Sequence, residues 1–273
     1  MRQETLIKSI GLTPGQIVAT VGGGGKTSIL NAIARECREA GWSPVILTTT
    51  THIFAPQPEN KGNLLLGNSD SLKRTLFERS NRDWPDQLTL ARTRVGMAPV
   101  PGNPDKMRMK LRGFEVGEIS NFRIAGGVVL VEADGSRGLP IKAPGPDEPV
   151  LPPETNLVIG VVGLDSMGKP IDKFHVFRPE RLVEVTGLSL GDPVDAETIG
   201  RLAAHPEGLF RRSPQSARRI VFLNKSDLIG AMAKLEQINY IVSELACGLG
   251  GPAEAVFLTS TTESEICRIR RMP

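Results

Sequence analysis

Ile17-Val18-Ala19-Thr20-Val21-Gly22-Gly23-Gly24-Gly25-Lys26-Thr27-Ser28-Ile29-Leu30 is the stretch on which the fold turns. An apolar, β-branched run enters four glycines, then Lys-Thr, then residues with helical spacing, so it reads as strand, loop, helix. Glycines let successive backbone N–H groups turn toward an anion with no Cβ in the way. A helix starting near Lys26 adds the positive end of its dipole, and the lysine adds an ammonium for terminal phosphates. Gly22, Gly23, Gly24, Gly25, Lys26, Thr27 and Ser28 are therefore the expected phosphate-binding residues, with the Thr27 hydroxyl placed for magnesium. The usual form of this motif has a glycine six positions before the lysine; here Thr20 stands there, which leaves a shortened loop.

Outward from the loop, a helix is expected from Thr27 to Ala40, with Ile29, Leu30, Ile33 and Ala34 on one face and Gly41 at its end. Pro44-Val45-Ile46-Leu47 is wholly apolar, as a strand buried on both faces should be. Strand, helix and strand in that order predict a three-layer α/β/α fold with a mostly parallel, doubly wound sheet. The second strand runs into Thr48-Thr49-Thr50-Thr51-His52, placing hydroxyls where such sheets bind ligands. At least one, with Thr50 the candidate, is read as functional, although threonine is also simply a good strand former. A lone His52 reads as structural.

Residues 55–125 are less regular. Leu64–Leu66 and Leu88–Ala91 look like strands, and Ser69–Arg79 like a helix capped by Ser69 or Asp70. Pro101-Gly102-Asn103-Pro104 marks a turn, and Met107-Arg108-Met109-Lys110-Leu111 is either the wall of a substrate pocket or an exposed helix. The whole of 1–273 is taken as one domain with an insertion around 55–125.

The apolar strand Gly127–Val131 ends in Glu132-Ala133-Asp134-Gly135-Ser136. The two carboxylates, one residue apart, share a side of the strand, which suits a magnesium ligand (Asp134) and a group that positions water (Glu132). In the loop beyond, Arg137 and Lys142 could hold an anionic substrate, or Arg137 could be a surface residue. Leu157–Val162 and Arg219–Leu223 are further core strands, and the second leads into Asn224-Lys225-Ser226-Asp227. That is the guanine-recognition pattern N-K-x-D: the Asp227 carboxylate can accept two hydrogen bonds from guanine, and adenine would leave it unpaired. Ala255–Leu258 is expected to end at Thr259-Ser260-Thr261, with Ser260 near the base.

Composition sets wider bounds. The chain has 273 residues, 40% hydrophobic and 23% charged, enough for a core without staples. A net charge of +3 argues against nucleic acid as the main partner. Cys37, Cys247 and Cys267 stand far apart, which fits a reducing cytoplasm and offers no cysteine metal site. No apolar run is long enough for a membrane span or signal peptide, so no membrane is expected.

Taken together and in order, the blocks Val21–Ser28, Thr48–Ile53, Val131–Arg137 and Leu223–Asp227 resemble the YqeC family. The first block is also similar to the short loops of Mur ligases and lipid A 4′-kinases. The family resemblance implies a P-loop NTPase-like fold and a part in maturing a selenium-dependent molybdenum hydroxylase, with that enzyme or its cofactor-loading proteins as partner. The expectation is thus a magnesium-dependent GTPase or ATPase in which Lys26, Glu132, Asp134 and Thr50 are catalytic. Asn224, Lys225, Asp227 and Ser260 hold the base. Two alternatives stand beside it: a kinase or nucleotidyltransferase acting on an anionic small molecule, and a nucleotide-dependent switch without turnover.

Overall fold

In a computed structural model of the chain, residues 5–56, 63–78, 87–260 and 270–271 are described. The elements, in order, are α1 (Leu6–Ser9), β1 (Ile17–Gly22), α2 (Lys26–Glu39), β2 (Val45–Thr49), β3 (His52–Phe54), β4 (Leu64–Leu66), α3 (Ser69–Glu78), β5 (Leu88–Ala91), β6 (Thr93–Val100), β7 (Asn103–Arg112), β8 (Val128–Glu132) and β9 (Ile141–Lys142). They continue with β10 (Leu157–Gly163), β11 (Val176–Phe177), α4 (Pro179–Thr186), α5 (Ala196–Ala204), β12 (Arg218–Asn224), α6 (Met232–Cys247), β13 (Ala255–Leu258) and β14 (Arg270–Arg271).

The main sheet has the order β14-β13-β12-β10-β1-β8-β2-β5-β4. All of its pairings are parallel except β13 with β14. Alternate residues of each strand enter different cores, as the two-residue period demands. Val18, Leu130 and Ile159 pack with Ile29, Ile33 and Cys37 of α2 on one face. Ala19, Val131 and Val158 join the core that holds Leu72 of α3, Leu182 of α4, Leu202 of α5 and Val242 of α6. Helices thus cover both faces, giving the three-layer α/β/α fold.

The chain winds from β1 through α2 to β2, leaving a gap that β8 fills, while β10 takes the other side of β1. Winding reverses beside β1, and in open α/β sheets ligands bind in the crevice at such a reversal, at the carboxyl ends of the strands. The Gly22–Gly25 loop emerges there.

Three expectations about 55–125 change. β4 and β5 belong to the main sheet, so the irregular part narrows to β3, β6 and β7, a separate antiparallel sheet in the order β3-β7-β6. The stretch 107–111 lies in β7, a strand rather than a helix. The cap of α3 is Asn68, whose Oδ1 accepts from the Ser71 N–H at 2.8 Å, not Ser69 or Asp70. Arg79, Thr261 and Cys267, named above, lie outside the described residues or their side chains. Among the described residues, no helix is long and apolar enough to cross a membrane.

Candidate functional site

β1 remains a strand through Gly22, so Thr20 sits fully buried inside it, its hydroxyl donating to the Val131 carbonyl at 3.4 Å. A glycine is not needed where the chain has not yet begun to turn. The turn itself is tight. A Cβ on Gly24 would lie 2.1 Å from the backbone nitrogen of Gly163, and Gly25 caps α2 in a left-handed conformation at φ 114°. Three loop N–H groups are already committed. Gly22 donates to Asp134 Oδ2 (2.9 Å), Gly23 to the Val161 carbonyl (2.9 Å) and Gly24 to the Leu139 carbonyl (3.1 Å). No side chain caps α2, so the anion-binding capacity lies at its first turn, where the N–H groups of Lys26, Thr27 and Ser28 have no acceptor within the helix.

Behind the loop runs a chain of alternating charges. Lys26 Nζ, buried, donates to the Gly22 carbonyl (2.5 Å) and pairs with Asp134 Oδ1 (3.1 Å). Asp134 Oδ1 is buried and takes no aligned hydrogen bond, so it meets Lys26 purely as an ion pair. Asp134 Oδ2 also faces Lys142 Nζ (3.0 Å), which reaches Glu148 Oε2 (2.5 Å), which in turn accepts from Arg178 (2.5 Å). Lys142, expected to hold substrate, is instead entirely buried between two carboxylates and the Gly135 carbonyl and has no face left for a ligand. Burial pushes the Glu148 carboxyl up, but hydrogen bonds from Arg178 and Lys142, with their charges, overwhelm it and bring its pKa down to about 2.

Glu132 ends β8 and accepts from the Thr27 hydroxyl at 2.6 Å. The hydroxyl at the helix start, expected with Asp134 as a magnesium ligand, therefore meets Glu132. Desolvation raises the Glu132 pKa, and the Lys26 charge and the Thr27 hydrogen bond oppose that without cancelling it. The threonine run divides by side. Thr48 turns away to the Leu90 carbonyl (2.9 Å), Thr49 donates to the Glu132 carbonyl (2.6 Å), and Thr50 donates to the Val150 carbonyl (2.6 Å).

Of the N-K-x-D residues at the end of β12, Asn224 reaches the same loop. Asn224, buried, donates to the Gly24 carbonyl (2.8 Å) and accepts from Thr259 (3.2 Å), so it holds the loop. Lys225, in a left-handed conformation, pairs with Asp165 Oδ2 at 2.5 Å, and Ser260 donates to Asp227 Oδ1 at 2.5 Å. Asp227 is exposed beyond the loop edge. Asp165, Glu148 and Arg178 went unnoticed in the sequence; each pairs with a residue at least 30 positions away, a separation that no local motif records. Arg137 is exposed, its guanidinium 5.2 Å from the Phe177 ring centroid, and lines a cavity of about 530 Å³ together with Thr50, Lys110 and Gly135.

The arrangement can do three things chemically. It presents a helix start and a cation to an anion, sets a hydroxyl beside a carboxylate at that point, and ties the loop to a second motif at the end of β12, beyond β10 in the sheet.

The YqeC protein family model matches residues 18–180, which contain the loop, both carboxylates and the cavity. A protein of Escherichia coli (strain K12) that carries the name "Uncharacterized protein YqeC" is 32% identical over 223 residues, covering 81% of this chain and 80% of that protein. No solved structure matches the chain.

Proposed function

The chain belongs to the YqeC family, and from its site we propose that it is a magnesium-dependent nucleotide-binding protein that hydrolyses GTP or ATP. The observation that carries this reading is the hydrogen bond from Asn224 to the Gly24 carbonyl. It joins the phosphate-loop candidate to the base-recognition candidate, 200 positions apart in the chain. In the proposal, the first-turn N–H groups of α2 and Lys26 hold the phosphates. Asp134 positions Lys26, and Asp227, with Ser260 beside it, reads guanine, which favours GTP.

Thr27 and Glu132 fit magnesium: two oxygen donors 2.6 Å apart at the helix start, beside the place assigned to the phosphates. Asp134 fits less well, being buried and already facing two lysines. When bound, the ion would neutralise charge gathering on the terminal phosphates. Glu132, its pKa raised by desolvation, and the nearby Thr50 would orient the attacking water. Service to a selenium-dependent molybdenum hydroxylase is supported by the family resemblance alone, and a cytoplasmic location by the widely spaced cysteines.

Titration calorimetry with magnesium and a non-hydrolysable GTP analogue tests the site. Lys26→Ala should weaken binding at least tenfold, in keeping with the loss of a charge-assisted contact. An affinity equal to that of the wild type would remove Lys26 from the proposal.

A further inference from the structure

The cavity beside the loop is built from separate parts of the chain. Antiparallel pairing sets His52 of β3 opposite Arg112 of β7, and Phe54 opposite Lys110. Lys110 and Arg112, two residues apart, share a face of β7. Arg137 comes from the loop after β8, and the Phe177 ring of β11 forms an apolar wall. Gly135, adjacent to Asp134, and Thr50, whose N–H donates to the Glu132 carbonyl at 3.4 Å, form the border shared with the loop site.

Three cations, Lys110, Arg112 and Arg137, thus face one space beside His52, whose pKa is lowered by burial and by the charges of Lys110 and Arg112. Among the described residues, no carboxylate forms an ion pair with Lys110 or Arg137. Arg112 reaches Glu115 only at 3.9 Å, both side chains being more than half exposed, where such a pair is worth little. Glu148 also lines the cavity but is already satisfied by Lys142 and Arg178. The alternative is a solvated basic hairpin. Lys110 and Arg112 come from β7 but Arg137 comes from the loop after β8, and a basic hairpin has no need to gather a cation from outside it around a concavity. The volume, about 530 Å³, falls within the range of small-molecule sites.

We propose that this cavity is a second ligand site, taking an oxyanion-bearing organic molecule next to the loop at Gly22–Gly25. The site differs from the acceptor expected from sequence, which joined Arg137 and Lys142 to the basic stretch 106–112: Lys142 drops out, Lys110 and Arg112 stay, and His52 enters. It rests on the nucleotide reading only in making its ligand a second substrate; the binding claim stands without it.

The test is calorimetry with two probes, inorganic pyrophosphate and citrate, on the full chain with magnesium and a saturating non-hydrolysable GTP analogue. Wild-type protein should bind at least one probe, and Lys110→Gln, Arg112→Gln and Arg137→Gln should each weaken it at least fivefold without changing the thermal melt. Pyrophosphate without citrate assigns a phosphate ester, and the reverse assigns a carboxylate. Absence of binding for both probes overturns the site. So does an affinity lost in Lys26→Ala but kept in the three cavity variants, because the probe then sits on the loop. Titration of the wild type with the GTP analogue in the same buffer reports on the nucleotide reading separately. Probe binding lost in the cavity variants, without nucleotide binding, keeps this site and overturns the other.

Discussion

A lysine with no exposed side-chain surface is costly to bury unless carboxylates surround it, and Lys142 has two. It carries the influence of Glu148 to Asp134 and so to Lys26, which makes Glu148 a support for the loop although it lies outside any motif. Its acid response has a definite sign. The carboxyl falls from 4.5 to about 2 in the folded chain. Such a group contributes stability that is fully present above the unfolded value and is lost as pH falls toward the folded one. The contribution is on the order of 3 kcal/mol. Glu148→Gln should therefore be destabilised by about that amount at pH 7 in urea unfolding. Its stability should also change less than that of the wild type between pH 5 and 2.5. Parallel pH profiles for the two proteins would remove Glu148 from the ion chain.

At the scale of elements, β12 and its following turn carry two separable duties. Asn224 holds the loop, whereas Asp227 is exposed and held only by Ser260. Asn224→Ala should thus weaken GTP and ATP binding alike and lower stability by about 1–3 kcal/mol, since it strands the buried Gly24 carbonyl. Asp227→Asn should leave stability and ATP affinity unchanged and reduce the GTP-over-ATP ratio at least tenfold, because the amide cannot accept both guanine hydrogen bonds. Competition binding with both nucleotides checks the pair; an unaltered ratio in Asp227→Asn would make the tetrad a plain turn. The strands were legible because β1, β2, β8, β10 and β12 are buried along most of their length, so each carries a mostly apolar run. In β7 the cue was present but unused. Lys106, Arg108, Lys110 and Arg112 alternate with Met107, Met109 and Leu111, the two-residue period of a strand with one face wet. Pairings such as Lys142 with Glu148, or Lys225 with Asp165, depend on how loops meet across strand ends, and no periodicity encodes that.

For the molecule as a whole, what matters is that β1, β8 and β12 are distant in sequence yet end at one edge of the sheet. Gly24 to Asn224 and Thr27 to Glu132 are both non-local contacts. A ligand that spans them therefore binds the folded chain and finds no counterpart in the unfolded one. Mass action then fixes the size of the response: ligand at one hundred times its Kd stabilises by about 2.7 kcal/mol. At about 2–4 °C per kcal/mol for a chain of this size class, the melt should rise by roughly 5–10 °C. Magnesium with the GTP analogue should produce that rise in wild-type protein, while Lys26→Ala, at the same ligand concentration, should show about half of it or less. Because the cavity shares Gly135 and Thr50 with the loop's surroundings, pyrophosphate or citrate added afterwards should raise the melt further in the wild type. Arg137→Gln should keep the nucleotide-induced rise and lose the increment from the probe. A melt that does not respond to the nucleotide, measured at concentrations where calorimetry detects binding, would mean that the ligand does not bridge β1, β8 and β12.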